Sequence, residues 1–237
     1  MIHMRARVTD IMGYWDIGRG KPKLFVAKNG KAREYINRKL SLEGIEVVDA
    51  RAEDIPWIVD DNGKEYFGLT TTEYTEELRL RCSRTGLSEI ILPWDDRRLR
   101  SGQPTLCLLS KGFPNASALN AKSIVKVAVS GNIGTLGLKL TSDYFRQNGI
   151  NTEEDFEDSN SVGRRSKLVM VPAGGQLEMM VKEGIADFCL DIVGTGKTAL
   201  GKYGLRIYGD NLFPIGLSLL ANKNYLSQVQ GGTGNGN

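Results

Sequence analysis

The feature that most constrains this chain is a recurring short apolar run followed by a polar stretch with helical spacing. Residues 21–27, Lys-Pro-Lys-Leu-Phe-Val-Ala, predict a buried strand. Residues 28–31 read as a loop, 32–42 carry helical spacing, and 44–50 (Gly-Ile-Glu-Val-Val-Asp-Ala) predict a second strand. A strand–helix–strand unit of this kind implies a parallel sheet with helices on its faces. The grammar continues with a short helix over 54–59, where Pro56 suits the first turn. A strand at 67–70, a helix at 75–84 and apolar runs at 88–93 and 104–110 follow.

Residues 111–122, rich in Pro, Asn, Ser and Ala, read as a crossing, after which the pattern restarts. Strands are expected at 123–130, 167–172, 187–193 and 217–221, and helices at 138–147, 175–183 and 199–203. The polar stretch 151–166 reads as a surface loop. The expected organisation is an N-terminal extension (1–20), a first α/β lobe (21–110 plus 206–226), a second α/β lobe (111–205) and a flexible tail (227–237). Two such lobes imply a cleft with ligands at the carboxyl ends of the strands.

Composition narrows the chemistry. With 41% hydrophobic and 25% charged residues, the 237-residue chain is not an intrinsically disordered one. No apolar run reaches about 18 residues, so no membrane partner is expected. Residues 1–10 lack an apolar h-region, so no secretory signal is expected either. A net charge of +3 without blocks of like charge argues against nucleic acid. Cys82, Cys107 and Cys189 form no CxxC pair, and the last two sit in apolar runs, which predicts buried thiols. His3 is the only histidine. Ser-His-Asp, Cys-His and histidine–zinc mechanisms need a histidine held inside the fold, so catalysis here falls to carboxylates, lysines, backbone amides or a bound ion.

The sharpest local motif is Asp191-Ile-Val-Gly-Thr-Gly-Lys-Thr198. A strand runs into a loop of small residues and a helix begins at its end, an arrangement suited to anions. Gly194 and Gly196 allow close backbone approach, Thr195 and Thr198 add hydroxyls, and Lys197 adds charge. A Walker A reading fails, because Asp191 stands where the first glycine is required. An ordinary tight turn is the competing reading. Gly131-Asn-Ile-Gly-Thr-Leu-Gly137 reads equally as a phosphate loop or a hinge. Lys28-Asn-Gly-Lys31 reads by itself as a solvated turn, and Trp57 as a core residue.

Together these pieces resemble ATP phosphoribosyltransferase, the first enzyme of histidine biosynthesis, in its short catalytic form. The resemblance rests on Glu178-x5-Gly184-x-Ala186-x4-Asp191-Ile-x2-Thr195-Gly-x-Thr198. It is supported by Lys28-Asn-Gly-Lys31, Arg51-Ala-Glu-Asp-Ile-Pro56, Lys126-Val-Ala, Asp143-Tyr-Phe and Gly149-Ile150. It implies a two-lobed α/β fold like type II periplasmic binding proteins, with a central cleft. It implies that 5-phosphoribosyl diphosphate and ATP react there with Mg²⁺, N1 of the adenine attacking C1 of the ribose. On this resemblance Glu178, Gly194, Thr195, Gly196, Lys197 and Thr198 bind the sugar donor. Asp191 orients the loop or meets the ribose hydroxyls. Lys28, Gly30, Lys31 and Thr70 serve ATP, Lys28 and Lys31 face the diphosphate or the ATP phosphates, and Asp191 and Lys28 are the catalytic residues it implies. A homo-oligomer, a synthetase-like regulatory subunit and a cytoplasmic setting are further expectations.

The chain departs from that pattern at Tyr66-Phe-Gly-Leu-Thr-Thr71, where the family has Asp-Leu-Gly-Ile-Thr-Gly. Lys31 stands for an arginine, which clamps phosphate better. Such drift would also suit a non-catalytic phosphate- or nucleotide-binding module, or a phosphoribosyltransferase with another base acceptor.

Overall fold

A computed structural model describes residues 23–28, 45–62, 66–92, 99, 102–112, 115–150, 152–153, 166–195 and 201–222. The chain divides into two compact units, residues 1–93 with 216–237 and residues 94–215.

Unit 1 is built on a five-stranded sheet of order β2-β1-β3-β11-β4. Its strands are β1 (Lys23–Ala27), β2 (Glu46–Ala50), β3 (Tyr66–Thr71), β4 (Leu87–Leu92) and β11 (Leu217–Asn222). β1 is parallel to β2 and β3, and β11 runs antiparallel to β3 and β4. Side chains alternate across a strand, so apolar residues on both faces give two cores. Leu24, Val26, Phe67, Leu69 and Leu219 form one. Ile55, Val59, Leu78, Leu87 and Leu220 form the other, under helices α1 (Ile55–Asn62) and α2 (Thr72–Arg81). Pro56 takes the second position of α1, as its fixed φ favours.

Gly68 sets how closely α1 lies on β3. A Cβ there would stand 2.4 Å from Ile55 Cγ2 and 2.9 Å from Val59 Cγ2, both on buried side chains. α2 is tied to β11 through Thr75 Oγ1, which donates to Ser218 Oγ at 3.2 Å, and Ser218 Oγ donates to Glu89. Arg79 closes the network on Glu89 at 2.7 Å.

Unit 2 carries a six-stranded sheet of order β10-β5-β9-β6-β8-β7. Its strands are β5 (Thr105–Ser110), β6 (Ile124–Ser130), β7 (Thr152–Glu153), β8 (Ser166–Ala173), β9 (Phe188–Val193) and β10 (Arg206–Pro214). β6 is parallel to β8 and β9, whereas β5 is antiparallel to β9 and β10. Helices α3 (Ala116–Asn120), α4 (Gly134–Gln147) and α5 (Leu177–Lys182) complete the unit. Leu177 and Val181 of α5 pack on Cys107, Leu109, Cys189 and Val193.

Four expectations are corrected here. The crossing lies between Pro93 and Trp94, not at 111–122, and the return lies between Ile215 and Gly216. The expectation put 104–110 and 206–226 in the first lobe. Instead β5 pairs with β9 and β10 pairs with β5, so both belong to the second sheet, and only 216–226 return to unit 1. Gly131–Gly137 is neither loop nor hinge: a 3₁₀ turn spans Gly131–Ile133 and α4 begins at Gly134. Gly137 is there for packing, since its Cβ would stand 2.6 Å from Val129 Cγ2 of β6. Trp57 is 42% exposed on α1, not core. The expectations for 1–20, 32–42 and 227–237 lie outside the described residues.

Gly68→Ala is expected to cost about 1–3 kcal/mol by overpacking α1 against β3. Urea denaturation should show a lower midpoint at unchanged slope. Gly112→Ala, with open space around its Cβ, should stay within about 0.5 kcal/mol of the parent.

Candidate functional site

The parallel register of unit 2 brings three strand ends to one edge. Ser130 lies opposite Ala173, and Val129 lies opposite both Pro172 and Leu190. The residues that follow these strands therefore share that edge: Gly131 onward after β6, Gly174–Gln176 after β8, and Gly194–Thr195 after β9. Ligands of α/β sheets bind at such carboxyl ends.

Asp191 stands on β9, opposite Cys107 of β5. Its Oδ1 accepts a hydrogen bond from the Ile192 N–H at 2.7 Å. Glu178, in the first turn of α5, is its carboxyl neighbour. Burial, then the Glu178 charge, push the Asp191 carboxyl up from its ordinary 3.8 to about 7; the Ile192 N–H opposes this, and a hydrogen bond shared with Glu178 adds to the rise. Two adjacent carboxyls accept hydrogen bonds from a vicinal diol well, because each offers oxygens in a poorly solvated setting.

β8 feeds α5 through Gly174, Gly175 at φ 140° and Gln176 at φ 55°. Gln176 has a side chain in the left-handed region, which is uncommon away from Asn and Asp. The reversal turns the chain sharply enough to present Glu178 to β9. Gly184, at φ 75°, ends α5.

Gly194 is half-buried and Thr195 exposed immediately after β9. A Cβ on Gly194 would stand 3.1 Å from Leu99 Cδ2, so the loop passes close to that side chain. Gly196, Lys197 and Thr198, and the helix expected at 199–203, lie wholly or partly outside the described residues. The cysteines are free; Cys107 and Cys189 are buried as expected, and burial pushes both thiols up.

The remaining candidates sit in unit 1. Lys28 is exposed at the end of β1, where its N–H donates to the Ala50 carbonyl at 2.9 Å. Gly30 and Lys31 lie outside the described residues. Thr70 is 2% exposed, and its hydroxyl donates to the Ala52 carbonyl at 2.7 Å. That hydroxyl braces the end of β3 instead of facing solvent. The sequence reading missed Glu73. It is buried in the first turn of α2 and accepts from Thr71 Oγ1 at 2.6 Å, while its Oε2 has no hydrogen-bond partner among the described residues. Burial raises its carboxyl from 4.5 to about 7, against the lowering hydrogen bonds from Thr71 and its own N–H. The local signal was Thr71-Thr-Glu73 at a strand-to-helix junction, where a helix N-terminus favours an acid.

Among the described residues no three His, Cys, Asp or Glu side chains converge as a metal site. No helix among them is long and apolar enough to cross a membrane.

A family model described as HisG, ATP phosphoribosyltransferase, matches residues 51–232. Curated relatives called ATP phosphoribosyltransferase include one from Pyrobaculum islandicum, 27% identical over 158 residues (67% of this chain and 44% of the relative). Another, from Ignicoccus hospitalis, is 28% identical over 161 residues (68% and 45%). The chain thus spans less than half the length of these relatives. Among solved structures, the ATP phosphoribosyl transferase (HisG:HisZ) complex from Thermotoga maritima matches with TM-score 0.55 at 18% identity, covering 89% of this chain and 97% of that one. The periplasmic aliphatic sulphonate binding protein SsuA from Escherichia coli also matches with TM-score 0.55, at 13% identity, covering 90% and 69%. These two likenesses bear on the fold: α/β, two-lobed and of the periplasmic-binding-protein type.

The raised Asp191 carboxyl carries a sign for stability. Between its unfolded value near 4 and its folded value near 7, the folded state binds the extra proton. Stability should therefore fall as pH rises through that window. Asp191→Asn removes this contribution, so urea denaturation at pH 5 and pH 8 should show a smaller pH slope than the parent and a gain at pH 8.

Proposed function

This chain belongs to the ATP phosphoribosyltransferase family, and from that premise we propose that it transfers the phosphoribosyl group of 5-phosphoribosyl diphosphate to N1 of ATP, the first step of histidine biosynthesis. The bond from N1 to C1 of the ribose forms, and the bond from C1 to the diphosphate oxygen breaks. Diphosphate leaves with the electron pair. No protein nucleophile or histidine base is required, so positioning and electrostatics carry the rate.

The observation that supports this best is the Glu178–Asp191 carboxyl pair beside Gly194 and Thr195 at one strand edge. On this reading the pair accepts the ribose hydroxyls. Gly194, Thr195, Gly196, Lys197 and Thr198 hold the 5-phosphate through backbone N–H groups, hydroxyls and one ammonium. Lys28, Gly30 and Lys31 serve the diphosphate or the ATP phosphates. Thr70 has no part in this reading, because its hydroxyl is committed to Ala52.

Mg²⁺ suits this donor set as an ion chelated by diphosphate, since it keeps waters and needs only one or two carboxylates. Glu178 and Asp191 are the paired oxygen donors of unit 2, and the ion would neutralise the leaving group. A cytoplasmic setting belongs to the same reading, because both substrates are intracellular metabolites. The Thermotoga neighbour is a HisG:HisZ complex, which supports a synthetase-like regulatory partner, with a homo-oligomeric catalytic core.

The deciding assay follows diphosphate release from 5-phosphoribosyl diphosphate with ATP and Mg²⁺, alone and with a regulatory-subunit homologue. Turnover with ATP is expected. Saturable donor binding without turnover would move the reading to another purine acceptor. Thr195→Ala should weaken donor affinity by about 1–3 kcal/mol in calorimetric titration, the range of a hydrogen bond to a charged phosphate. Unchanged affinity in the folded variant overturns the loop assignment.

A further inference from the structure

Unit 2 contains a cavity of about 390 Å³ at the sheet edge opposite Asp191 and Thr195. Asp187, on its wall, precedes β9, whereas Gly194 follows it. Six residues of strand span on the order of 20 Å, so the cavity and the loop are separate places in the unit.

Its floor is apolar, made by the buried Leu119, Val181 and Ala186. Its rim is charged: Lys111, Lys122 and Asp187. Each oxygen of Asp187 already has a partner. Lys122 is paired with its Oδ1, and its Oδ2 accepts the Lys126 N–H at 3.0 Å. Two ammonium groups thus face one satisfied carboxylate, and the lining has a surplus of one positive charge. Lys111 makes no ion pair among the described residues. The backbone beside it is open, since a Cβ on Gly112 or Gly184 would meet nothing within 4 Å.

We propose that this cavity is a binding site for a small organic anion with an apolar body. The apolar part rests on Leu119, Val181 and Ala186, and the negative group meets Lys111 at the rim. An ammonium selects such a ligand over its uncharged analogue, and an apolar floor selects it over a bare inorganic ion. The site is independent of the phosphoribosyl reading, because none of its lining residues belongs to the donor loop. It touches the same helix, however: α5 carries Glu178 at its start and Val181 near its end.

The test uses the full chain and two dyes of like shape. One is 8-anilinonaphthalene-1-sulfonate; the other is the uncharged N-phenyl-1-naphthylamine. Fluorescence titration should give a single saturable class for the sulfonate and weaker binding for the neutral dye. Lys111→Glu, at an exposed position, should weaken the sulfonate by roughly three- to tenfold and leave the neutral dye unchanged. Gly112→Phe should occlude the cavity and weaken both by roughly tenfold or more. Thr195→Ala should change neither. The proposal is overturned if the sulfonate does not saturate, if both dyes bind wild type equally, or if both substitutions leave its affinity unaltered. Loss of sulfonate binding in Thr195→Ala overturns it as well, because the dye would then sit at the loop.

Discussion

Unit 2 depends on β9 being a buried central strand that nonetheless carries a carboxylate. It is hydrogen-bonded on one side to antiparallel β5 and on the other to parallel β6. Phe188, Cys189 and Leu190 are fully buried, and Val193 nearly so. Asp191 shares the face of Cys189 and Val193, because alternate residues point the same way. Among the described residues the Ile192 N–H relieves its charge, and Glu178 works against it. A half-buried, poorly compensated acid costs stability. On the proposed reading the group meets the ribose hydroxyls, at the strand edge that the loop after β9 occupies.

The same physics recurs in unit 1 with different residues. β3 ends in Thr70 and Thr71, α2 begins at once, and Glu73 is buried in its first turn. Thr70 closes onto Ala52, Thr71 closes onto Glu73, and Thr72 exchanges hydrogen bonds with Gly216. Three successive threonines therefore brace one junction. Of these, Thr71 stands where the resemblance has glycine, whereas Thr70 keeps the threonine. The Thr71 hydroxyl, which glycine would lack, serves the scaffold through Glu73.

Much of the element order was legible because it rests on local periodicity. Strands over 187–193 and 217–221 and the helix over 175–183 appear with ends shifted by only a residue or two. β10 was not legible. Its run Arg-Ile-Tyr-Gly-Asp-Asn-Leu-Phe-Pro breaks alternation, with register shifts on either side of Gly209 and Asn211 at φ 53°. Bulges spoil period two, although the strand still pairs along β5. Gly137 misled for a related reason. A glycine needed for a close helix–strand approach looks, in one dimension, like a glycine needed for a loop. Trp57 shows the converse: its apolar neighbours suggested core, but the helix turns it outward.

The sequence by itself determined the α/β class, the family, and the motif from Glu178 to Thr198, because these rest on residue type and spacing along the chain. It also narrowed any histidine chemistry to a single residue, His3. Only the tertiary structure decided which strands share a sheet, and so where one unit ends and the other begins. Only it placed Glu178 against Asp191, buried Glu73, turned Thr70 inward and left a cationic cavity at the far edge of β9. Each of these is a meeting of residues distant in sequence. Local periodicity carries no information about such meetings, because they are set by which apolar faces the whole chain manages to bury together.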